Sequence, residues 1–128
     1  MPIPPRSKNF SITIRQSGPA SVIDVVGSLT LFESGALRQA ITNLIAEKHK
    51  DIVLNLGGLE YLDSSGIGEL VRNYLTVIKS GGTLKVVGLS RQVEEILKIT
   101  QLYKVFPEFP SEEAALRSFP ANPDSARP

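Results

Sequence analysis

The chain holds 128 residues, no cysteine and one histidine, and its 14 basic and 13 acidic residues leave a net charge of +1. That length supports one domain with its own apolar core, and the lack of cysteine excludes disulfides and thiolate metal sites, which makes the cytoplasm the expected compartment. Interspersed charge makes no case for nucleic acid or an anionic membrane, apolar runs of a few residues fall far short of a membrane span, and the Met-Pro-Ile-Pro-Pro-Arg start lacks the apolar stretch of a signal peptide.

Residues 1–8, with three prolines and two basic residues, read as a disordered tail. Phe10 to Arg15 alternates apolar and polar residues, the mark of a half-buried strand. Ser17-Gly18-Pro19 is a turn, and Val22 to Val26 is a second strand, so the pair reads as an antiparallel hairpin. Gly27 is expected to end that strand. Ala36, Leu37, Ala40, Ile41, Leu44 and Ile45 then mark one face of a first helix, which should stop at Lys48-His49-Lys50.

Ile52 to Leu56 reads as a buried strand rich in β-branched residues, followed by an expected turn at Gly57-Gly58. Ile67, Leu70, Val71, Tyr74, Val77 and Ile78 form the apolar face of a second helix, stopped by Ser80-Gly81-Gly82. Thr83 to Gly88 is a fourth strand, and Ser90 is placed to cap a third helix carrying Val93, Ile96 and Leu97 inward. The segment Val105 to Phe109 is short and broken by proline, suited to a sheet edge. Ser111 with Glu112 and Glu113 opens a short last helix through Leu116, and 118–128 reads as a second disordered tail.

The order β-β-α-β-α-β-α predicts an α/β domain over residues 9–117: a small mixed sheet, parallel except for the first strand at one edge, with helices packed against it. A fragment of residues 9–118 holds every apolar face in this reading.

Four kinds of chemistry can be tested against these residues. A serine nucleophile needs a base, and the single histidine, His49, falls at a helix end beside two lysines, where a solvated cation is the simpler reading. The Gly-x-Ser-x-Gly elbow is absent, since Asp63 stands two residues before Ser65. Gly66-Ile67-Gly68 begins like a dinucleotide fingerprint, but Val71 occupies the place of the third glycine, and no phosphate loop exists in the chain. One histidine and no cysteine leave nothing from which to build a metal centre, so neither metal nor cofactor is expected.

The fourth possibility is a phosphorylation switch at Asp63-Ser64-Ser65-Gly66. Asp63 or Ser64 caps the helix by accepting from first-turn N–H groups. One cap suffices, however, and the run continues into Gly66 and Gly68, each costing about 1 kcal/mol inside a helix. Small residues there suggest a flat, open backbone against which a partner could sit. A phosphate on a hydroxyl at this point would meet the positive end of the helix dipole, in a neighbourhood that Glu60, Asp63 and Glu69 make acidic. From the residues alone, Ser64 and Ser65 are equal candidates.

The run Ile52-Val53-Leu54-Asn55-Leu56 followed by Leu62-Asp63-Ser64-Ser65-Gly66-Ile67-Gly68 resembles the signature of the STAS domain, shared by sulphate transporters and bacterial anti-sigma factor antagonists. Val26-Gly27-Ser28-Leu29, Gly81-Gly82-Thr83-Leu84 and Ser90 with Val93 and Leu97 extend the likeness. The resemblance implies an antagonist that binds an anti-sigma factor with serine kinase activity and so frees a sigma factor. It implies that the kinase phosphorylates Ser65, that a serine phosphatase resets the switch, and that Asp63, Ser64, Ser65, Gly66, Ile67 and Gly68 form the partner contact. Where many members have Gly-x-Leu-Asp, this chain has Gly27-Ser28-Leu29-Thr30, which bears on how readily Ser65 is phosphorylated. A STAS component of another regulatory or lipid-transport complex is the alternative, and a small nucleotide-binding protein a further one.

Overall fold

A computed structural model describes residues 10–30, 33–104, 106 and 108–119, with backbone alone at Ser34 and Tyr103. The two tail expectations over 1–8 and 120–128, and positions Val105 and Pro107, lie outside the described residues. Five strands form one sheet in sequence order: β1 (Ser11–Ser17), β2 (Ala20–Leu29), β3 (Asp51–Leu62), β4 (Thr83–Val87) and β5 (Glu108–Phe109). β1 pairs antiparallel with β2 at one edge, and the remaining neighbours are parallel. The helices are α1 (Ser34–Ala46), α2 (Ser64–Lys79), α3 (Arg91–Ile99) and α4 (Glu112–Arg117), with a single 3-10 turn at Leu102–Lys104. The expected mixed α/β architecture is what the chain adopts.

Parallel neighbours laid down in sequence order need right-handed crossovers that all return over the same side of the sheet. That puts α1, α2 and α3 on one face. Their residues Leu37, Ile41, Leu44, Leu70, Val77, Val93 and Leu97 share a core with Ile23, Val25, Ile52, Leu54, Leu84 and Val86 of the strands. The alternate strand positions Ala20, Val22, Val53 and Val87 point the other way and meet Ala115 of α4 and Phe119. Central strands covered on both faces need apolar residues at nearly every position, which is why β2 to β4 carry such runs.

Both central strands outrun their expected ends. β3 does not turn at Gly57-Gly58; it runs on to Leu62, 12 residues in all. The pairing with β2 slips between Asp24↔Asn55 and Val26↔Gly58, so the two glycines absorb a bulge within a continuous strand. Asn55 fixes that bulge: its Oδ1 accepts the Gly57 N–H at 3.0 Å while its Nδ2 donates to Asp24 at 2.8 Å. A Cβ at Gly58 would lie 2.8 Å from Cγ2 of Val26, so a side chain there would force Val26 to move. β2 likewise passes Gly27 and runs to Leu29, pairing with Leu62. The extension carries Asp63 to the rim of the sheet.

The C-terminal boundary also moves. Ser118 caps α4, and Phe119 is 7% exposed in the second core cluster, with the Lys85 ammonium 3.9 Å from its ring centre. An aromatic ring finds apolar cover on Val53 and Val87 there, so residues 118 and 119 belong to the folded unit and not to a tail.

Candidate functional site

The Asp-Ser-Ser-Gly run occupies the junction between the long strand β3 and the start of α2. α2 begins at Ser64, one turn earlier than the apolar spacing from Ile67 suggests, because Asp63 is its N-cap. The Asp63 backbone is extended, its Oδ1 accepts the Gly66 N–H at 2.8 Å, and its carbonyl accepts the Ile67 N–H at 2.9 Å. The cap satisfies first-turn donors that a helix start leaves unpaired. The Asp63 N–H in turn reaches the Leu29 carbonyl at the end of β2. The turn is therefore held by both central strands.

Ser64 is exposed and Ser65 is half-buried. Ile67 is half-buried against the helical core. Gly66 has a different role from the open backbone expected of it. It is buried, and a Cβ at Gly66 would come within 2.1 Å of the Leu29 carbonyl oxygen and 2.7 Å of Leu62 Cδ1. Its bareness lets the first turn of α2 press onto the end of β2. Gly68 is covered too, by the guanidinium of Arg72, whose Nη1 lies 3.4 Å from where a Cβ would stand. The surface at this site consists of side chains, chiefly Asp63, Ser64, Ser65 and Arg72.

Glu69 does not add to an acidic patch. It is 1% exposed, and its Oε1 accepts from Arg72 Nε at 3.1 Å, while Arg38 of α1 lies 3.9 Å from Oε2. A buried carboxylate is tolerated where a cation answers it, and here two do. The spacing of Glu69 and Arg72 at i and i+3 is a pair that sequence can show; the approach of Arg38 from another helix is not.

Thr30 donates its hydroxyl to Glu33 Oε1 at 2.7 Å, and Glu33 is buried at the entrance to α1. Leu29, beside Thr30, is the residue whose carbonyl meets Gly66. A carboxylate is thus hydrogen-bonded to position 30 even though that position itself is a threonine. Nothing in the local pattern of residues singled out Glu33.

His49 is not placed to act as a base. It precedes β3, whereas Ser65 follows it, and 12 strand residues at about 3.3 Å each separate them by on the order of 35 Å. It lines a shallow hollow of about 450 Å³ with Ile14, Gln16 and Asn43. Among the described residues no group of three or more acidic or histidine side chains could hold a metal ion, and no helix is long and apolar enough to cross a membrane.

The family model of the STAS domain matches residues 11–115. The chain belongs to the STAS domain family. Within that family, an anti-sigma-B factor antagonist of Bacillus subtilis is 29% identical over 94 residues, covering 73% of this chain and 85% of the relative. An anti-sigma F factor antagonist of Paenibacillus polymyxa is 27% identical over 109 residues, 84% of this chain and 93% of the relative. A solved anti-sigma factor antagonist from Mycobacterium paratuberculosis superposes with a TM-score of 0.76 at 26% identity, covering 86% of this chain and 93% of that one. The phosphorylated form of SpoIIAA of Bacillus shares the STAS fold at a TM-score of 0.66 and 20% identity, over 85% of this chain and all of that one.

Proposed function

We propose that this chain is an anti-sigma factor antagonist whose partner is an anti-sigma factor with serine kinase activity. The unphosphorylated form binds that partner, phosphate on Ser65 ends the binding, and a serine phosphatase restores it. The protein is a binding module with no chemistry of its own, working in the cytoplasm.

The observation that carries this reading is the pair of hydroxyls at a helix start whose backbone is fixed from beneath. Asp63 locks the turn through the Gly66 N–H, and Gly66 packs on Leu29, so Ser64 and Ser65 are presented on a rigid rim. The names of the relatives point to the same function. A phosphate there adds roughly −1.5 to −2 of charge at the positive end of the helix dipole. Those local terms are each about 1–2 kcal/mol at a half-buried position, too small to unfold a domain of ordinary stability. At a desolvated interface the same charge without a prepared partner costs several kcal/mol, enough to abolish a micromolar complex.

The test is phosphorylation by the partner kinase with mass spectrometry of the product, together with binding by substituted chains. Ser65→Asp should lose binding and keep its circular dichroism spectrum and melting temperature. Ser65→Ala should bind and stay bound in the presence of ATP. Phosphate found on Ser64 in the parent chain would move the assignment, and an acidic variant that melts far earlier would make the switch conformational. Asp63→Asn caps about as well as Asp, so it should lower phosphorylation or binding with little change in melting.

A further inference from the structure

The cluster of Glu69, Arg38 and Arg72 holds one carboxylate and two guanidinium groups, an excess of one positive charge on a surface next to Ser65. Glu69 is buried, while the side chains of Arg38 and Arg72 are 67% and 64% exposed. Arg72 satisfies Oε1 of Glu69; Oε2 is buried without a hydrogen bond, with Arg38 its nearest cation at 3.9 Å. In charge one arginine is enough to neutralise Glu69, so a stronger anion nearby can draw Arg72 off Oε1 and leave Arg38 as the counter-ion.

The direction of the Arg72 side chain says where that anion would be. Side chains on a helix lean toward its N-terminus, and residues 65, 68, 69 and 72 share one face of α2. The Arg72 guanidinium lies over Gly68, one turn below Ser65, with Nη1 3.4 Å and Nη2 3.5 Å from the place of a Gly68 Cβ. Cβ positions three residues apart are about 5–6 Å from each other, so Nη1 lies within roughly 9 Å of Ser65 Cβ. That interval is short enough for a phosphoryl group on Ser65 and the rotatable stem of Arg72 to close it between them.

We propose that Arg72 is the receptor in cis for a phosphate on Ser65, with Arg38 remaining on Glu69. This rests on Ser65 as the modified residue. A phosphate dianion offers an exposed guanidinium two parallel charge-assisted hydrogen bonds and more charge than Glu69 does. Phosphorylation then does two things at the rim: it adds the anion and withdraws Arg72 from the surface that faces a partner.

The experiment uses the full chain with phosphoserine installed at 65 during translation, so no kinase is needed. The phosphate is titrated by phosphorus NMR. Asp63 and Glu69 push its second ionisation above the usual value of about 6, and Arg72 and Arg38 push it below. The parent should titrate below 6, Arg72→Gln should raise the midpoint by half a pH unit or more, and Arg72→Lys should recover most of the shift. Arg38→Gln should move it less than Arg72→Gln. In the unsubstituted chain, the Arg72 Nε–H signal should shift when residue 65 carries phosphate, a readout that needs no variant to fold. An Arg72→Gln midpoint equal to the parent's, or an unmoved Nε–H signal, overturns the receptor and leaves the antagonist reading standing. A kinase that never modifies Ser65 would do the reverse.

Discussion

The two faces of the sheet are held together by different means. On the α1–α3 face the contacts are almost wholly aliphatic, from Ile23 and Leu54 in the strands to Leu37, Leu70 and Leu97 in the helices. On the α4 face a small apolar patch of Ala20, Val22, Val53 and Val87 is covered by Ala115 and Phe119, with charged groups beside it. Arg15 on β1 donates to both Asp24 and Glu112, joining residues 97 apart in sequence, and Lys85 lies over the Phe119 ring. Burial on the first face scales with area and is insensitive to salt and pH, whereas the second depends on charge. The Ser65 rim belongs to the first face. Its geometry is set by backbone packing, and its one buried carboxylate, Glu69, is answered by Arg72 and Arg38, whose side chains stay largely exposed.

The largest test of that division is the pair of glycines in α2. Gly66→Ala would drive a methyl group into the Leu29 carbonyl, a backbone atom that cannot step aside. It should cost about 3 kcal/mol or more, at or beyond the usual range for overpacking, and abolish partner binding with it. Gly68→Ala meets only the flexible end of Arg72 and gains helix propensity, so it should be neutral or stabilising by up to about 1 kcal/mol. Urea unfolding of both variants decides it. Equal effects would mean that the rim is not fixed by the β2 contact.

Those two glycines also mark how far the sequence could be read. Periodicity of apolar residues pointed to β1 to β4 and α1 to α3 in order, while α4 was legible only from its Ser111 cap and acidic first turn, and β5 only as a short edge segment. The antiparallel first strand followed from the short connection at Ser17-Gly18-Pro19. What escaped notice were contacts between residues far apart. Gly57-Gly58 has the composition of a turn, and only the register against β2 makes it a bulge. Gly66 and Gly68 look alike in the sequence, yet one is packed on Leu29 and the other lies beneath Arg72. Glu69 reads as a surface acid until Arg38 arrives from another helix. Phe119, amid prolines and small residues, has no periodic partner to announce that it is buried.

Phe119 gives the next test, on the α4 face. Phe119→Ala removes a ring that is 7% exposed and the cation–π contact with Lys85. Phe-to-Ala changes in cores cost about 3–5 kcal/mol, and this patch is small and lies at the end of the chain, so about 2–3 kcal/mol is expected. Burial holds the Lys85 ammonium below its ordinary pKa, so the loss should come from the missing apolar cover more than from the charge. A chain ending at Ser118 should melt as early as Phe119→Ala. If both melt with the parent, the folded unit ends at α4.

The smallest effect is the one most specific to the α4 face. Hydrogen bonds from the Arg15 guanidinium hold both Asp24 and Glu112 below their ordinary pKa values, with Asn55 assisting at Asp24. A carboxylate whose pKa is lowered by folding adds stability above its unfolded pKa and loses it as pH falls through the folded value. Arg15 stays charged throughout, so the network should be intact at neutral pH and weaken below about pH 4, where free carboxylates protonate. Arg15 is 42% exposed, which limits the whole contribution to about 1 kcal/mol at most. Glu112→Gln should therefore lower stability slightly at pH 7, with the gap to the parent closing toward pH 3 and shrinking in 1 M salt. Leu54→Ala, on the helical face, should cost about 2–5 kcal/mol with no such closing. A Glu112→Gln deficit that stays constant from pH 7 to pH 3 would show that α4 is held by packing alone, and the two faces would then differ only in size.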